Sequence, residues 1–286
     1  MPTLTRLFAG LCTLLLACSV SATSVAAATA ADGDPHYEQV VFHSAALQRD
    51  MRLNVYLPPH YDAKLRYPVL YFLHGKGGNE YQVLNHLAIG DLADELIGNH
   101  EIKPLIIVAP ELDTSFGLNL SDNDHTLLAD GQRAGRYHDY LVEDVPNYVE
   151  HHWAARTDRA GRMIGGFSMG GYAALLAAFR HPARYGKVGA HSPAINPAYV
   201  GGALSPLPTS RDDRDPSWLA RSAKLDGMKI WIDCGQDDLL YTSAHQLAQQ
   251  LQQQGQQVQW STGPGGHNNR YWTEDRLVDY LKFYGN

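Results

Sequence analysis

Hydrophobic positions recur along this chain in two rhythms. Met51, Leu53, Val55 and Leu57 alternate with Arg52, Asn54 and Tyr56. That is the period of a half-buried strand, and Pro58-Pro59 ends it. A second strand-like stretch, 37–42, precedes it, so the pair predicts an antiparallel edge on a larger sheet. Beyond it the apolar runs become continuous, VLYFL at 69–73 and LIIVA at 105–109, as strands buried on both faces require. Shorter strands are predicted at 163–165, 187–191, 230–233 and 258–260. Between them, helical spacing appears at 84–97, 137–152, 172–179, 242–254 and 274–283. Strands alternating with helices predict an α/β fold: a mainly parallel sheet with antiparallel N-terminal strands and helices on both faces.

Two segments break the rhythm. Residues 111–136 are polar and rich in Gly, Asp and Asn, and residues 196–217 are rich in Pro, Gly and Ser. Long loops in a compact domain serve as lids or binding loops, and for 196–217 a disordered or ornamental insertion is the alternative. The Gln-rich stretch 249–257 lies in a helical context and reads as a solvated face.

The N-terminus reads differently. After Arg6, residues 7–20 (LFAGLCTLLLACSV) are uncharged and largely apolar, and small residues follow. Ala26-Ala27-Ala28 and Ala28-Thr29-Ala30 fit a small-x-small cleavage pattern, so 1–30 reads as an export signal. The apolar part is shorter than the ~20 residues of a transmembrane span. Leu15-Leu16-Ala17-Cys18 is similar to a bacterial lipobox, which would keep the chain lipid-anchored through Cys18. The expected location is secreted or periplasmic. Residues 31–36 read as a linker, and 37–286 as one domain.

Composition bears on partners. The chain has 286 residues, enough for one large α/β domain with a core that needs no staple. Of the three cysteines, Cys12 and Cys18 lie in the leader, which leaves Cys234 without an intramolecular partner. The formal charge is −7 and no basic run is present, which argues against nucleic acid and anionic membranes as partners. The 14 histidines show no ligand spacing, so neither metal nor cofactor is called for.

Gly166-Phe167-Ser168-Met169-Gly170-Gly171 carries the chemistry. It fits G-x-S-x-G, preceded by a short strand and followed by an Ala/Leu helix, the context of a nucleophile elbow. Ser168 would be held at the sheet edge beside a helix N-terminus. A serine hydroxyl needs a base, and this fold orders the residues Ser, acid, His. His181 and His245 fall in helices, and His191 precedes any acid. His267, in the glycine-rich loop before the last helix, is the candidate base. The acid belongs to the turn after 230–233, where Asp237 and Asp238 are both placed to serve. The backbone of Met169 supplies one oxyanion donor. The loop Leu73-His74-Gly75-Lys76-Gly77-Gly78 supplies the other through the Lys76 amide, with His74 supporting the loop. His74, Gly75, Phe167 and Trp272 are the candidate substrate contacts.

These pieces resemble the esterase D-like α/β-hydrolases, a group of S-formylglutathione hydrolases, feruloyl and acetylxylan esterases, and mycolyltransferases. The resemblance runs from about residue 37 onward, through FLHGKGG, GGFSMGGYAAL, WIDCGQDD and GGHNNRYW. In the family's D-x-G-x-x-D pattern the last aspartate is catalytic, and it maps onto Asp238. Relatives often carry an aromatic two residues after the histidine, where this chain has Asn269. The resemblance implies a serine carboxylic-ester hydrolase without cofactor, acting on small-molecule or carbohydrate esters, and is compatible with a homodimer. An acyltransferase using the same triad and a non-catalytic binding protein on the same fold are the alternatives.

Overall fold

A computed structural model describes residues 36–121, 134–195, 213–274 and 276–286. The export signal, the linker up to Pro35 and residues 122–133 and 196–212 of the two long loops lie outside them. The strands are β1 (His36–Ser44), β2 (Arg49–Leu57), β3 (Val69–Leu73), β4 (Ile106–Pro110), the two-residue β5 (Asn119–Leu120) and β6 (Gly135–Arg136), β7 (Arg162–Phe167), β8 (Lys187–His191), β9 (Lys229–Gly235) and β10 (Val258–Gly263). Eight of them form one sheet in the order β1-β2-β4-β3-β7-β8-β9-β10. β1 and β2 pair antiparallel, as do β2 and β4. Every pair from β4 to β10 is parallel. This is the α/β-hydrolase arrangement expected from the sequence.

The chain leaves β3 toward β4 on one side and returns to β7 on the other. Ligands of open α/β sheets bind beyond the carboxyl ends of strands at such a reversal. The loop after β3 and the turn after β7 therefore meet where a site is expected.

Helices α2 (Tyr137–Asp139) and α5 (Pro216–Leu219) are short. Side chains of β3 alternate between two cores. Val69, Tyr71 and Leu73 join helices α3 (Val145–His152), α4 (Met169–Arg180) and α6 (Tyr241–Gln253) on one face. Leu70 and Phe72 join α1 (Ile89–Gly98) and α8 (Leu277–Gly285) on the other. Helix α4 is buried all round, from Met169 to Phe179. Its Leu175 and Leu176 are inaccessible and contribute about 1.5–3 kcal/mol each by burial.

Among the helices, those expected over 84–97 and 274–283 differ from the sequence reading. The helix expected over 84–97 is broken: a π-helical turn covers Gln82–His86, and Ala88 turns left-handed (φ 49°) before α1. Gly90 lies so close to Tyr37 and Tyr56 that a β-carbon would stand 2.4 Å from the Tyr37 oxygen. The helix expected over 274–283 is preceded by a separate short one, α7 (Asn269–Thr273), which Asn268 caps through its side chain. One contact was not legible at all. Gly165 and Gly189 leave a slot between β7 and β8 that the Tyr284 hydroxyl fills, tying α8 to the strand that carries the elbow.

Candidate active site

β7 ends at Phe167 and α4 starts at Met169, so Ser168 alone makes the turn. It does so at φ 53° and ψ −112°, a conformation that costs a non-glycine residue of order 1–3 kcal/mol. Three backbone bonds hold it. The Ser168 amide donates to His191 O (2.9 Å), and its carbonyl accepts from Tyr172 (3.0 Å) and Ala194 (3.0 Å). The flanking glycines are dictated by the first central strand. A β-carbon on Gly166 would stand 2.5 Å from Leu73 O, and one on Gly170 2.3 Å from the same atom.

Ser168, His267 and Asp238 come together. Ser168 Oγ lies 2.8 Å from His267 Nε2, and His267 Nδ1 lies 2.8 Å from Asp238 Oδ2. A carboxylate accepts only, so Nδ1 carries the proton and Nε2 is left to accept from the serine hydroxyl. Asp238 Oδ1 accepts the Leu240 amide at 2.9 Å. Burial works against the charge on Asp238, yet the hydrogen bonds from His267 and Leu240 outweigh it and hold the carboxyl below its ordinary range. Asp237 is exposed and Asp238 buried, which separates the two candidates that the turn left open. Gly235 lets the acid turn and the histidine loop touch, since a β-carbon there would stand 2.2 Å from Gly265 O.

The other histidines downstream of the serine do not reach it. His191 is wholly buried, with Nδ1 2.5 Å from Asp233 Oδ2 and Nε2 3.2 Å from the Tyr284 hydroxyl. His181 Nε2 faces His138 Nε2 at 3.0 Å, and His245 stacks on Trp260. Cys234 is buried, and that burial pushes its thiol far up.

Met169 N opens α4 directly after the serine, where the helix dipole places about half a positive charge. The loop after β3 also comes to Ser168: a β-carbon on Gly75 would stand 3.7 Å from Ser168 Cβ. The Gly78 amide bonds Gly75 O at 3.0 Å around Gly77, which sits at φ +79°. This tight turn carries Lys76 at its exposed tip. His74 is 1% exposed. Its Nδ1 donates to Gly75 O (2.8 Å), and its Nε2 lies 3.0 Å from the Leu112 amide and 3.3 Å from Glu111 Oε1.

Three of the four candidate substrate contacts are placed elsewhere. His74 lies beneath the loop. Phe167 is 1% exposed and packs between Phe72 and Trp272 in the core below the elbow. Trp272 is also buried, edge-on to the His267 ring with centroids 5.0 Å apart, and its indole N–H donates to Ser192 Oγ at 3.1 Å. Strand alternation explains Phe167: the residue before the turn must point to one core or the other. Ser192 was not singled out in the sequence, because a serine after a strand carries no motif. Among the described residues no group of His, Cys, Asp or Glu side chains could hold a metal ion, and no helix is long and apolar enough to cross a membrane.

The "Putative esterase" family model matches residues 44–283. Among solved structures the chain is similar to a ferulic acid esterase (TM-score 0.75, 23% identity, covering 88% of this chain and 99% of that one). It is also similar to an S-formylglutathione hydrolase from Staphylococcus aureus (TM-score 0.73, 21% identity, 89% and 100%). A ferulic acid esterase from Anaeromyces mucronatus, in complex with ferulic acid, matches at TM-score 0.64 and 25% identity, covering 90% and 91%. The chain therefore belongs to the putative esterase family, the esterase D-like group, and has the α/β-hydrolase fold.

Proposed function

We propose that the chain hydrolyses carboxylic esters through an acyl-enzyme on Ser168. The observation that carries this reading is the unbroken line of hydrogen bonds from Ser168 Oγ through His267 to Asp238. In the first step His267 Nε2 takes the hydroxyl proton as Ser168 Oγ bonds to the ester carbonyl carbon. Asp238 holds the tautomer and stabilises the imidazolium. The amides of Met169 and Lys76 donate to the oxyanion, and His267 returns the proton to the departing alcohol. Water then attacks the acyl-enzyme by the same route, and the acid leaves.

The substrates in this proposal are esters of small acyl groups or of carbohydrates. Two relatives named above are ferulic acid esterases. Export through residues 1–30 belongs to the same proposal, and the N-terminal sequence of the exported chain tests it.

The test is hydrolysis of nitrophenyl acetate, nitrophenyl butyrate, a feruloyl ester and an acetylated sugar by the native chain and by Ser168→Ala, with products identified. Turnover to free acid that disappears in the variant supports the proposal. Turnover that survives in a folded Ser168→Ala chain overturns it. Acyl transfer to an added sugar in place of free acid would identify a transferase.

A further inference from the structure

The carbonyl of Gly75 and the N–H of Lys76 belong to one peptide unit. No peptide bond among the described residues is cis, so the two groups point in opposite directions. Whatever holds Gly75 O therefore aims the Lys76 N–H. Two donors hold it: the Gly78 amide at 3.0 Å and His74 Nδ1 at 2.8 Å. His74 is buried beneath the loop, so the Lys76 N–H is turned away from the core.

The far edge of the His74 ring is fixed by the segment that follows β4. The Leu112 amide meets Nε2 at 3.0 Å, and Glu111 Oε1 stands 3.3 Å from the same nitrogen. Glu111 also shapes that segment. Its amide donates to Arg52 O at 3.0 Å, which carries the pairing of β2 and β4 one residue past Pro110. Its Oε1 accepts the Asp113 amide at 2.6 Å, across a turn in which Asp113 adopts φ 49°. Its Oε2 lies 3.8 Å from Arg52 Nη2, and Arg52 Nε lies 2.6 Å from Glu80 Oε1. Glu80 and Glu111 are both buried and share this guanidinium. Burial pushes the Glu80 carboxyl up. It acts the same way on Glu111, but the contact with His74 and the Asp113 amide outweigh it and hold that carboxyl below its ordinary range. Glu111 is therefore the charged one of the two, and the triad leaves it unused.

We propose that Glu111 is a positioning residue of the oxyanion hole, acting through His74 and the Gly75 carbonyl on the Lys76 N–H. This rests on the mechanism proposed above. Glu111 works from behind the loop and not on the reacting atoms. Without its carboxylate the turn at 112–113 loosens, His74 tilts, and the Gly75 peptide rotates about its flanking bonds. The Lys76 N–H then points less well at the oxyanion, an interaction made chiefly in the transition state. The loss falls on kcat and leaves KM alone. A glutamate that merely tied β2 to β4 would change stability and slow every substrate alike.

Glu111→Gln is close in size, but an amide offers one accepting oxygen where the carboxylate offers two, so Asp113 and Arg52 are no longer both served. Native and variant chains are compared on nitrophenyl acetate and on its thionoester, in which sulfur replaces the carbonyl oxygen. Negative sulfur is a weak acceptor and draws little from oxyanion donors. Glu111→Gln is expected to lower kcat on the oxygen ester about tenfold, a fraction of what loss of a whole donor costs, with KM unchanged. On the thionoester the change should stay within about twofold. In a Lys76→Pro background Glu111→Gln should cost nothing further, because the N–H it aims is gone. Equal losses on the two esters overturn the inference, as does full activity of the folded variant on the oxygen ester. Exchange of the His74 Nδ1 hydrogen, followed by NMR, needs no turnover. It should quicken in the variant, and an unchanged rate also overturns the inference. A native chain that hydrolyses neither ester contradicts the proposed function instead, and the exchange rate still decides the role of Glu111.

Discussion

Gly170 stands against the end of β3, where a β-carbon would lie 2.3 Å from the carbonyl oxygen of Leu73. The first helical turn after the nucleophile thus rests on the strand that also sends out the oxyanion loop. The same carbonyl limits Gly166. The spacing of the G-x-S-x-G motif is the footprint of one backbone atom on a neighbouring strand. Gly170→Ala must push α4 off β3, and the obstructing atoms are backbone, which cannot swing aside. Overpacking of this kind costs about 1–3 kcal/mol or more. Thermal denaturation should show a lower Tm, and ester turnover should fall by more than the folded fraction explains. Unchanged values of both would mean that the elbow relaxes freely.

Asp238 and Asp237 are neighbours with opposite expectations. Asn at 238 offers His267 Nδ1 an amide that can donate as well as accept, so the productive tautomer is no longer enforced. Asp238→Asn should lower kcat on the order of 10³–10⁴-fold. Asp237→Asn, at an exposed position, should remain near the native value. The carboxyl of Asp238 is held low, so it contributes stability above the ordinary carboxylate range and loses it as pH falls through its folded-state value. The Tm gap between native and Asp238→Asn chains should therefore narrow on acidification. The reverse ranking of the two variants would move the acid to Asp237.

Much of this was legible in the residues. Period-two alternation marked β2, and continuous apolar runs marked the central strands. Asn54 and Tyr56 of β2 are nevertheless buried rather than solvated as the half-buried pattern expects, because the second core covers that face. The elbow and its chain order singled out Ser168 and His267. What escaped depends on atoms far apart in sequence. The Tyr284 hydroxyl fills the slot left by Gly165 and Gly189, and no pattern couples residues about a hundred positions apart. The first turn of α1 packs Gly90 against Tyr37 of β1 and Tyr56 of β2, a contact its own helical period does not show. Phe167 and His74 adjoin functional backbone, but their side chains obey the pleat and the loop, which turn both inward. The choice of Asp238 needed either a family pattern or its burial, because both aspartates suit a turn chemically.

In the proposed mechanism Lys76 acts through its amide. Lys76→Pro removes that N–H, and loss of one oxyanion donor costs about 10²–10³-fold in kcat. Lys76→Ala keeps the N–H and should cost far less. Steady-state kinetics on one small ester distinguish them. Equal losses would shift the role to the ammonium group.

His138 provides a pH test away from the site. Burial, with Arg180 and His181 nearby, lowers it from 6.5 to about 4. A depressed histidine is neutral in the fold and protonated in the unfolded chain over this interval, so stability falls as pH drops from 6.5 toward 4. At pH 5 the loss amounts to about 2 kcal/mol, which is a few degrees in Tm. His138→Gln should flatten the dependence of Tm on pH between neutrality and pH 5. A Tm profile as steep as the native one would place the acid sensitivity elsewhere, with His181 the next group to test.

The most direct measurement is covalent. A fluorophosphonate reacts with a serine only where a base removes the hydroxyl proton and an oxyanion site receives the phosphoryl oxygen. Intact-mass analysis and peptide mapping of the labelled chain should show one adduct, on Ser168, and none in His267→Ala. An adduct on another residue, or ester turnover by a chain whose Ser168 stays unlabelled, would contradict the account.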